Sequence, residues 1–390
     1  MVQCTRDLQS LISTDHLRRS MKEFIKGMDL STLLENEKCG AKYYTDGKEK
    51  DILQICKDNG VSMIRLRLWN DPKSDRGEPY GAGNNDLAVT VETGKRVTDA
   101  GMSVLLNYHY SDFWADPGKQ IKPKAWKDYG PDELEKTVYE FTKSSLKKLL
   151  DQGVNIGMIQ VGNELSNGLL WPDGQVPEYK NIARFVSAGI RACREVKKEI
   201  PLMIHLDNGG NNELYRRWFD NYFANGGEDF EYIGMSYYPF WHGRLRELSA
   251  NMEDVALRYH KHIIIAEVSM GFTMEDYAGY EKLTASERKG YATKEKLLEN
   301  LDYPMTKEGQ ADFTSDFLER VRKVPEDRGC GFFWWEPAWI PRPGSGWATP
   351  ASLKYMNDPG PCGNEWANQA LFDYDGNALP TWDVIRNFRK

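Results

Sequence analysis

Long apolar runs are missing from this chain: no segment of its 390 residues approaches the ~20 consecutive apolar residues that a membrane-spanning helix needs. Mean hydropathy is correspondingly low, at -0.63. Positive charge is also in short supply. Lys and Arg number 51 against 58 Asp and Glu, a net charge of -7. The sequence pI is near 5.6, which argues against nucleic acid or an anionic membrane as partner. Cysteine is sparse and scattered (Cys4, Cys39, Cys56, Cys193, Cys330 and Cys362), with no two at the spacing of a zinc or redox motif. Cys56 and Cys193 lie on apolar helical faces, the usual setting of a buried free thiol. The first residues, Met1 to Asp7, lack the basic-then-apolar layout of a secretion signal. Together with the scattered thiols this leads to the expectation of a cytoplasmic protein, with secretion the alternative if a signal has been removed. Internal repeats, low-complexity tracts and linkers are absent. What is abundant is aromatic: 12 Trp, 20 Tyr and 15 Phe. Flat faces beyond what a core requires suit the stacking of a neutral, polar, planar-faced ligand such as a sugar.

Eight short apolar segments recur along the chain, at 24–29, 61–69, 102–108, 156–162, 202–206, 232–238, 262–268 and 331–335. Each is rich in β-branched or aromatic residues and ends in polar residues, Gly or Pro, which predicts strands. Helical spacing of apolar residues fills 48–59, 86–100 and 131–152, and each of these stretches stops at a glycine: Gly60, Gly101 and Gly153. Strands alternating with helices imply a parallel sheet, and eight such units imply a closed (β/α)8 TIM barrel. An open doubly wound sheet is the structural alternative. It often carries a Gly-rich phosphate loop after the first strand, where this chain has Asp29-Leu30-Ser31. We therefore expect a single α/β barrel domain over 21–390, preceded by an N-terminal extension over 1–20. A Gly-, Pro- and Asn-rich tail, 340–380, is expected to drape over the barrel mouth.

A barrel enzyme carries its chemistry at the C-terminal ends of its strands. The fourth segment ends in Gly162-Asn163-Glu164, and the seventh ends in Glu267 after four apolar residues. Two carboxylates across one barrel mouth can act on a glycosidic bond, one protonating the leaving oxygen and the other attacking the anomeric carbon. A lone strand-end Glu is more often a solvated or salt-bridged group. Two of them in register, with Asn before the first, are more specific.

Those residues resemble the clan of retaining glycoside hydrolases built on this barrel, and the neighbouring motifs narrow the likeness. Arg65-Leu66-Arg67-Leu68-Trp69-Asn70-Asp71-Pro72, His109-Tyr110-Ser111-Asp112-Phe113-Trp114-Ala115-Asp116-Pro117 and Gln160-Val161-Gly162-Asn163-Glu164 are similar to glycoside hydrolase family 53. So are His205-Leu206-Asp207-Asn208-Gly209, Ser236-Tyr237-Tyr238-Pro239 and Trp335-Glu336-Pro337-Ala338-Trp339-Ile340-Pro341. These are the arabinogalactan endo-β-1,4-galactanases, and the likeness runs from about Phe24 to Trp382. It implies Glu164 as general acid/base, Glu267 as nucleophile and net retention, on β-1,4-linked galactan or galacto-oligosaccharide. It implies Asn163 as the holder of the sugar 2-hydroxyl.

For such roles Glu164 must keep its proton and Glu267 must stay ionised. Arg67, with Arg65 on the same strand face, is the expected cation beside Glu267, and Tyr238 the expected hydrogen-bond donor. Trp114, Trp335 and Trp339 are expected to stack on sugar rings, with Trp347 at an outer subsite. His109, Asp112, Asp207 and Asn208 are expected to bind hydroxyls, and Glu336 to bind rather than react. His260 and His262 share a strand face but lie at the opposite barrel end, where a solvated or satisfied pair is the plainer reading. No cofactor is expected to be required. Bacterial proteins resembling this chain can hold structural calcium after the eighth strand, and 358–373 here has oxygen ligands without a recognisable calcium-loop spacing. A monomer is expected. The loop after Glu267, Val268-Ser269-Met270-Gly271-Phe272-Thr273, departs from the family's usual continuation and bears on chain-length and sugar preference. Rival readings are another retaining β-glycanase, a metal-dependent barrel hydrolase, and a non-catalytic carbohydrate-binding barrel, which need not keep both acids.

Overall fold

The eight apolar segments become eight parallel strands. The computed structural model describes residues 24–277 and 295–389, so the expected extension over 1–20 lies outside the described residues. Strands β1 (Ile25–Asp29), β2 (Met63–Leu68), β3 (Ser103–Tyr108), β4 (Ile156–Val161), β5 (Leu202–Leu206), β6 (Tyr232–Tyr237), β7 (His262–Val268) and β8 (Gly329–Trp334) pair in chain order. β8 then pairs in parallel with β1, closing the barrel. Helices α1 (Ile52–Asp58), α2 (Leu87–Asp99), α3 (Pro131–Asp151), α4 (Tyr179–Val196), α5 (Asn212–Ala224), α6 (Leu245–Tyr259) and α7 (Lys307–Arg322) make the crossovers, and α8 (Thr381–Asn387) follows the last strand. This is the (β/α)8 fold. Among the described residues no helix is long and apolar enough to cross a membrane.

The helices form for local reasons. α3 opens on Pro131, whose fixed φ suits a first turn, and Asp132 and Glu133 complement the positive helix end. Leu134, Val138, Leu146 and Leu149 share one face and are fully buried. Each contributes about 1.5–3 kcal/mol of burial. The helix stops at Gly153, which takes φ +80 at little cost.

Some boundaries differ from expectation. The helix expected over 48–59 begins only at Ile52, because the Asp51 side chain accepts from Leu53 N at 2.8 Å and Gln54 N at 3.2 Å and so caps it there. Lys48–Glu49 pairs instead with Tyr44–Thr45 in a small antiparallel hairpin. The eighth strand starts at Gly329 and ends at Trp334, earlier than expected at both ends.

Strand alternation divides the barrel interior into two levels. Met63, Leu105, Met158, Met203, Tyr232, Ile264, Ala266 and Phe333 form one buried apolar cluster, against which Ile25 packs. These draw on all eight strands and plug the lower barrel. Gly27 makes room for this plug: a Cβ there would meet the Phe333 ring at 2.2 Å. Two residues further along the strands the same faces carry Asp29, Arg65, Asn107, Gln160 and His205. Strict alternation from Ile264 and Ala266 would point Glu267 outward. The β6–β7 register shifts after Met235, pairing Ser236 with Glu267. This bulge turns the Glu267 side chain into the barrel mouth.

Candidate active site

The upper level of the barrel is a closed polar network around Arg65. Its guanidinium reaches Asp29 Oδ2 at 2.6 Å, Gln160 Oε1 at 3.1 Å, Asn163 Oδ1 at 2.8 Å and Glu267 Oε1 at 2.8 Å. Arg65 and Asp29 are both fully buried. Burying such charges costs free energy unless they are paired this thoroughly. Arg67, two residues outward, pairs with Glu336 Oε1 at 2.7 Å and lies 3.5 Å from Asp29 Oδ1. Its guanidinium sits 4.4 Å from the Trp114 ring centroid. The cation beside Glu267 is therefore Arg65, not the expected Arg67.

Glu164 and Glu267 offer carboxylate oxygens within 4.8 Å of one another. Their surroundings are opposed. Burial pushes the Glu164 carboxyl well above the ordinary range, and the charges of Glu267 and Asp207 push it further. Its Oε1 accepts from Ser236 Oγ at 2.5 Å, and Ser236 Oγ lies 2.8 Å from His205 Nε2. Burial also raises Glu267, but Arg65 and the Tyr238 hydroxyl, which donates to Oε2 at 2.8 Å, hold it down. Of the pair, Glu267 ionises first and Glu164 keeps the proton. His205 stays neutral because burial and Arg65 lower it.

A cleft of about 340 Å³ opens above the two acids. Among the residues expected to bind, Asn163, Arg67, His109, Trp114, Asp207, Tyr238, Trp335, Trp339 and Trp347 line it. His109 Nδ1 accepts from Trp69 Nε1 and from Ala115 N, both at 3.2 Å. Its proton is therefore on Nε2, which has no hydrogen-bond partner among the described residues and can donate to a ligand hydroxyl. The loop holding Trp347 is pinned, since Trp347 Nε1 donates to Pro361 O at 3.0 Å and its carbonyl accepts from Trp114 Nε1 at 2.9 Å. The tail does cross the barrel mouth, as expected. There Trp366 packs edge-on against Trp335, with ring centroids 5.0 Å apart.

Arg65, Asp112, Asn208 and Glu336 are not among the cleft-lining residues. Arg65 lies beneath, supporting Glu267. Asp112 joins two loops, accepting from Asp71 N at 3.0 Å, Lys124 N at 2.7 Å and Lys124 Nζ at 3.0 Å. Asn208 takes φ +55 and its carbonyl accepts Asn211 N at 2.8 Å, a turn leading into α5. Glu336 is buried behind Arg67 and accepts from Thr32 Oγ1 at 2.6 Å; burial raises it to about 8 against the pull of Arg67. Conversely, Asp116, Lys119, Trp241, His242, Glu365 and Trp366 line the cleft without having been expected there. Asp29, His205 and Ser236 support the acids. Strand parity from Arg65 could have found those three, whereas a lone loop Trp such as Trp241 carries no such signal.

Among the described residues the one group of His, Cys, Asp or Glu donors close enough to share a cation is Glu164, His205 and Glu267. The Arg65 charge beside Glu267 opposes an ion there. In the tail, Asp358 accepts Gly360 N at 2.7 Å and Asp373 accepts Asn377 N at 2.9 Å. At the far barrel end, His262 Nδ1 lies 3.4 Å from Cys330 Sγ and His260 terminates α6.

Residues 25–385 match the model of glycosyl hydrolase family 53. The endo-β-1,4-galactanase of Bacillus subtilis (strain 168) is 37% identical over 386 residues, covering 94% of this chain and 86% of that one. The arabinogalactan endo-β-1,4-galactanase of Humicola insolens is 30% identical, covering 92% of this chain and 98% of that one. Among solved structures, the Ignisphaera aggregans GH53 catalytic domain superposes with a TM-score of 0.85 at 37% identity, covering 93% of this chain and 96% of that one.

Proposed function

This chain belongs to glycosyl hydrolase family 53, and from that premise we propose that it cleaves internal β-1,4-galactosidic bonds of galactan, or of galacto-oligosaccharides derived from it, by a two-step displacement with retention. Glu164 protonates the leaving oxygen while Glu267 attacks the anomeric carbon. Water then hydrolyses the galactosyl-enzyme, with Glu164 now taking its proton. The observation that carries this reading is a close carboxyl pair in opposed surroundings: oxygens within 4.8 Å, a cation and a hydroxyl on Glu267, burial beside other acids on Glu164. A gap that short suits direct attack; inverting enzymes space their acids at about 6.5–9.5 Å to admit a water. Arg65 and Tyr238 hold Glu267 ionised. Asn163 and the His109 Nε2–H donate to sugar hydroxyls, and the tryptophans take ring faces.

Endo action is supported by aromatic residues on both flanks of the acids, with Trp339 and Trp347 on the β8 side and Trp241 on the β6 side. The proposed chemistry calls on no residue of a second subunit and on no organic cofactor. The test is the anomer released from β-1,4-galactan and from galacto-oligosaccharides of graded length, followed by NMR, with β-glucan and β-mannan as competitors. Initial release of the β-anomer is expected, with loss of turnover in Glu267→Gln. Undiminished hydrolysis in Glu267→Gln, or initial release of the α-anomer, overturns the mechanism. Preferred turnover of β-glucan or β-mannan overturns the substrate.

A further inference from the structure

Glu164 sits at a backbone position that does not hold itself. Its φ of 48 and ψ of 56 lie in the left-handed region, which costs an L-residue about 1–2 kcal/mol. Something must keep it there. The two peptide planes flanking Glu164 carry the carbonyls of Asn163 and of Glu164 itself. Fixing both planes fixes φ and ψ, and with them the direction of the Glu164 side chain.

Gln120, in the loop after β3, is placed to do this. It is 2% exposed. Its Nε2 lies 2.8 Å from Asn163 O, 3.4 Å from Glu164 O and 3.3 Å from Asp116 O. One amide hydrogen serves the Asn163 carbonyl and the other is shared between the remaining two. The Gln120 main chain is itself held, because its backbone carbonyl accepts Trp171 N at 2.8 Å. The same loop grips the acid's segment twice more. Asn163 Nδ2 donates to Ala115 O and Asn167 Nδ2 donates to Pro117 O, each at 2.8 Å. Asp116, Pro117 and Lys119 of this loop also line the cleft.

We infer that Gln120 is a positioning residue for the proton donor, holding Glu164 in its left-handed conformation so that its carboxyl meets the leaving oxygen. The inference rests on the reading of Glu164 as acid/base. Displacement of a catalytic group by about 1 Å can cost about 100-fold. The loss falls only on substrates that need the proton.

The test compares kcat/KM on galactotetraose, whose leaving group is a poor one, with that on 2,4-dinitrophenyl β-1,4-galactobioside, whose phenolate leaves without a proton. Gln120→Met keeps length and apolar packing while removing both donors. It is expected to lose about 10- to 100-fold on the oligosaccharide and less than about 3-fold on the aryl glycoside. Should Gln120→Met not fold, the near-isosteric Gln120→Glu, which sets an acceptor against the three carbonyls, is expected to show the same contrast. Equal losses on both substrates, or no loss on either, overturn the assignment. Glu164→Gln separates the two layers. If it too loses equally on both substrates, the reading of Glu164 fails. If it spares the aryl glycoside while the Gln120 variants do not, only the role of Gln120 fails.

Discussion

Replacing Tyr238 with Phe deletes one oxygen from the site and little else. The ring is 5% exposed and packs against Phe240 and Trp366, with centroids 5.9 and 5.6 Å away, contacts that Phe keeps. The lost hydroxyl donates to Glu267 Oε2 at 2.8 Å. A hydrogen bond to a charged group is worth about 1.5–3 kcal/mol, or about 10- to 150-fold. Only ionised Glu267 receives it, so its loss raises the pH at which Glu267 ionises. In the proposed mechanism only the ionised form attacks, so the acid limb of the kcat/KM profile is expected to move to higher pH. On the plateau the effect is smaller, because attack discharges Glu267 and the transition state needs the donor less than the free enzyme does. Arg65 remains in place throughout. The assay is kcat/KM against pH for the parent and Tyr238→Phe on the same galacto-oligosaccharide. A loss that is uniform across pH, or an acid limb that moves downward, refutes the account of how Glu267 is kept charged.

Three further outcomes are expected. Glu164→Gln should raise Tm, and more so as pH rises. Glu164 has a raised folded pKa, so the folded protein keeps a proton that the unfolded chain has released, and parent stability falls with pH where Gln has nothing to lose. Melting curves over a pH series check this, and a gap that shrinks with pH contradicts it. Asp29→Asn removes a carboxylate from buried Arg65 and Arg67. The expected cost is about 3–5 kcal/mol in denaturant unfolding; a change within about 0.5 kcal/mol, as at surface sites, would count against it. Chelation with EDTA should leave kcat unchanged, because the proposed chemistry runs on two carboxyl groups. A fall in Tm alone would report a structural cation in the tail, and a fall in kcat would count against the mechanism.

Most of the barrel is readable in the sequence because its signals are local. A segment such as Leu202–Leu206 is apolar, short and bounded by polar residues, and α3 announces its start with Pro131 and its stop with Gly153. The hairpin at 44–49 is not readable in this way, since Lys48 and Glu49 suit an exposed helical turn as well as a strand. The bulge that aims Glu267 is less legible still. Position 267 has the wrong parity relative to Ile264 and Ala266, and only the register against β6 shows the shift. Asp112 stands in a motif full of hydroxyl-binding types, yet its partner Lys124 lies twelve residues on, across a loop whose path the sequence does not reveal.

The pair Arg65 and Arg67 shows where sequence stops choosing and geometry begins. Both face inward on β2, and two residues of strand separate them by about 6.6 Å along the axis. That distance decides their work. The deeper guanidinium reaches the barrel centre, where Asp29, Gln160, Asn163 and Glu267 converge. The outer one reaches the rim, lies over Trp114 and turns to Glu336. Identical side chains thus divide into one that pairs with Glu267 and one that lines the cleft. The division follows from strand rise and the depth of the apolar plug below. The two glutamates divide by the same logic. Arg65 reaches Glu267 but ends 2.8 Å from the side chain of Asn163, which stands one residue before Glu164. Glu164 is left with Ser236 and with burial, and the two acids separate in charge because one buried cation touches only one of them.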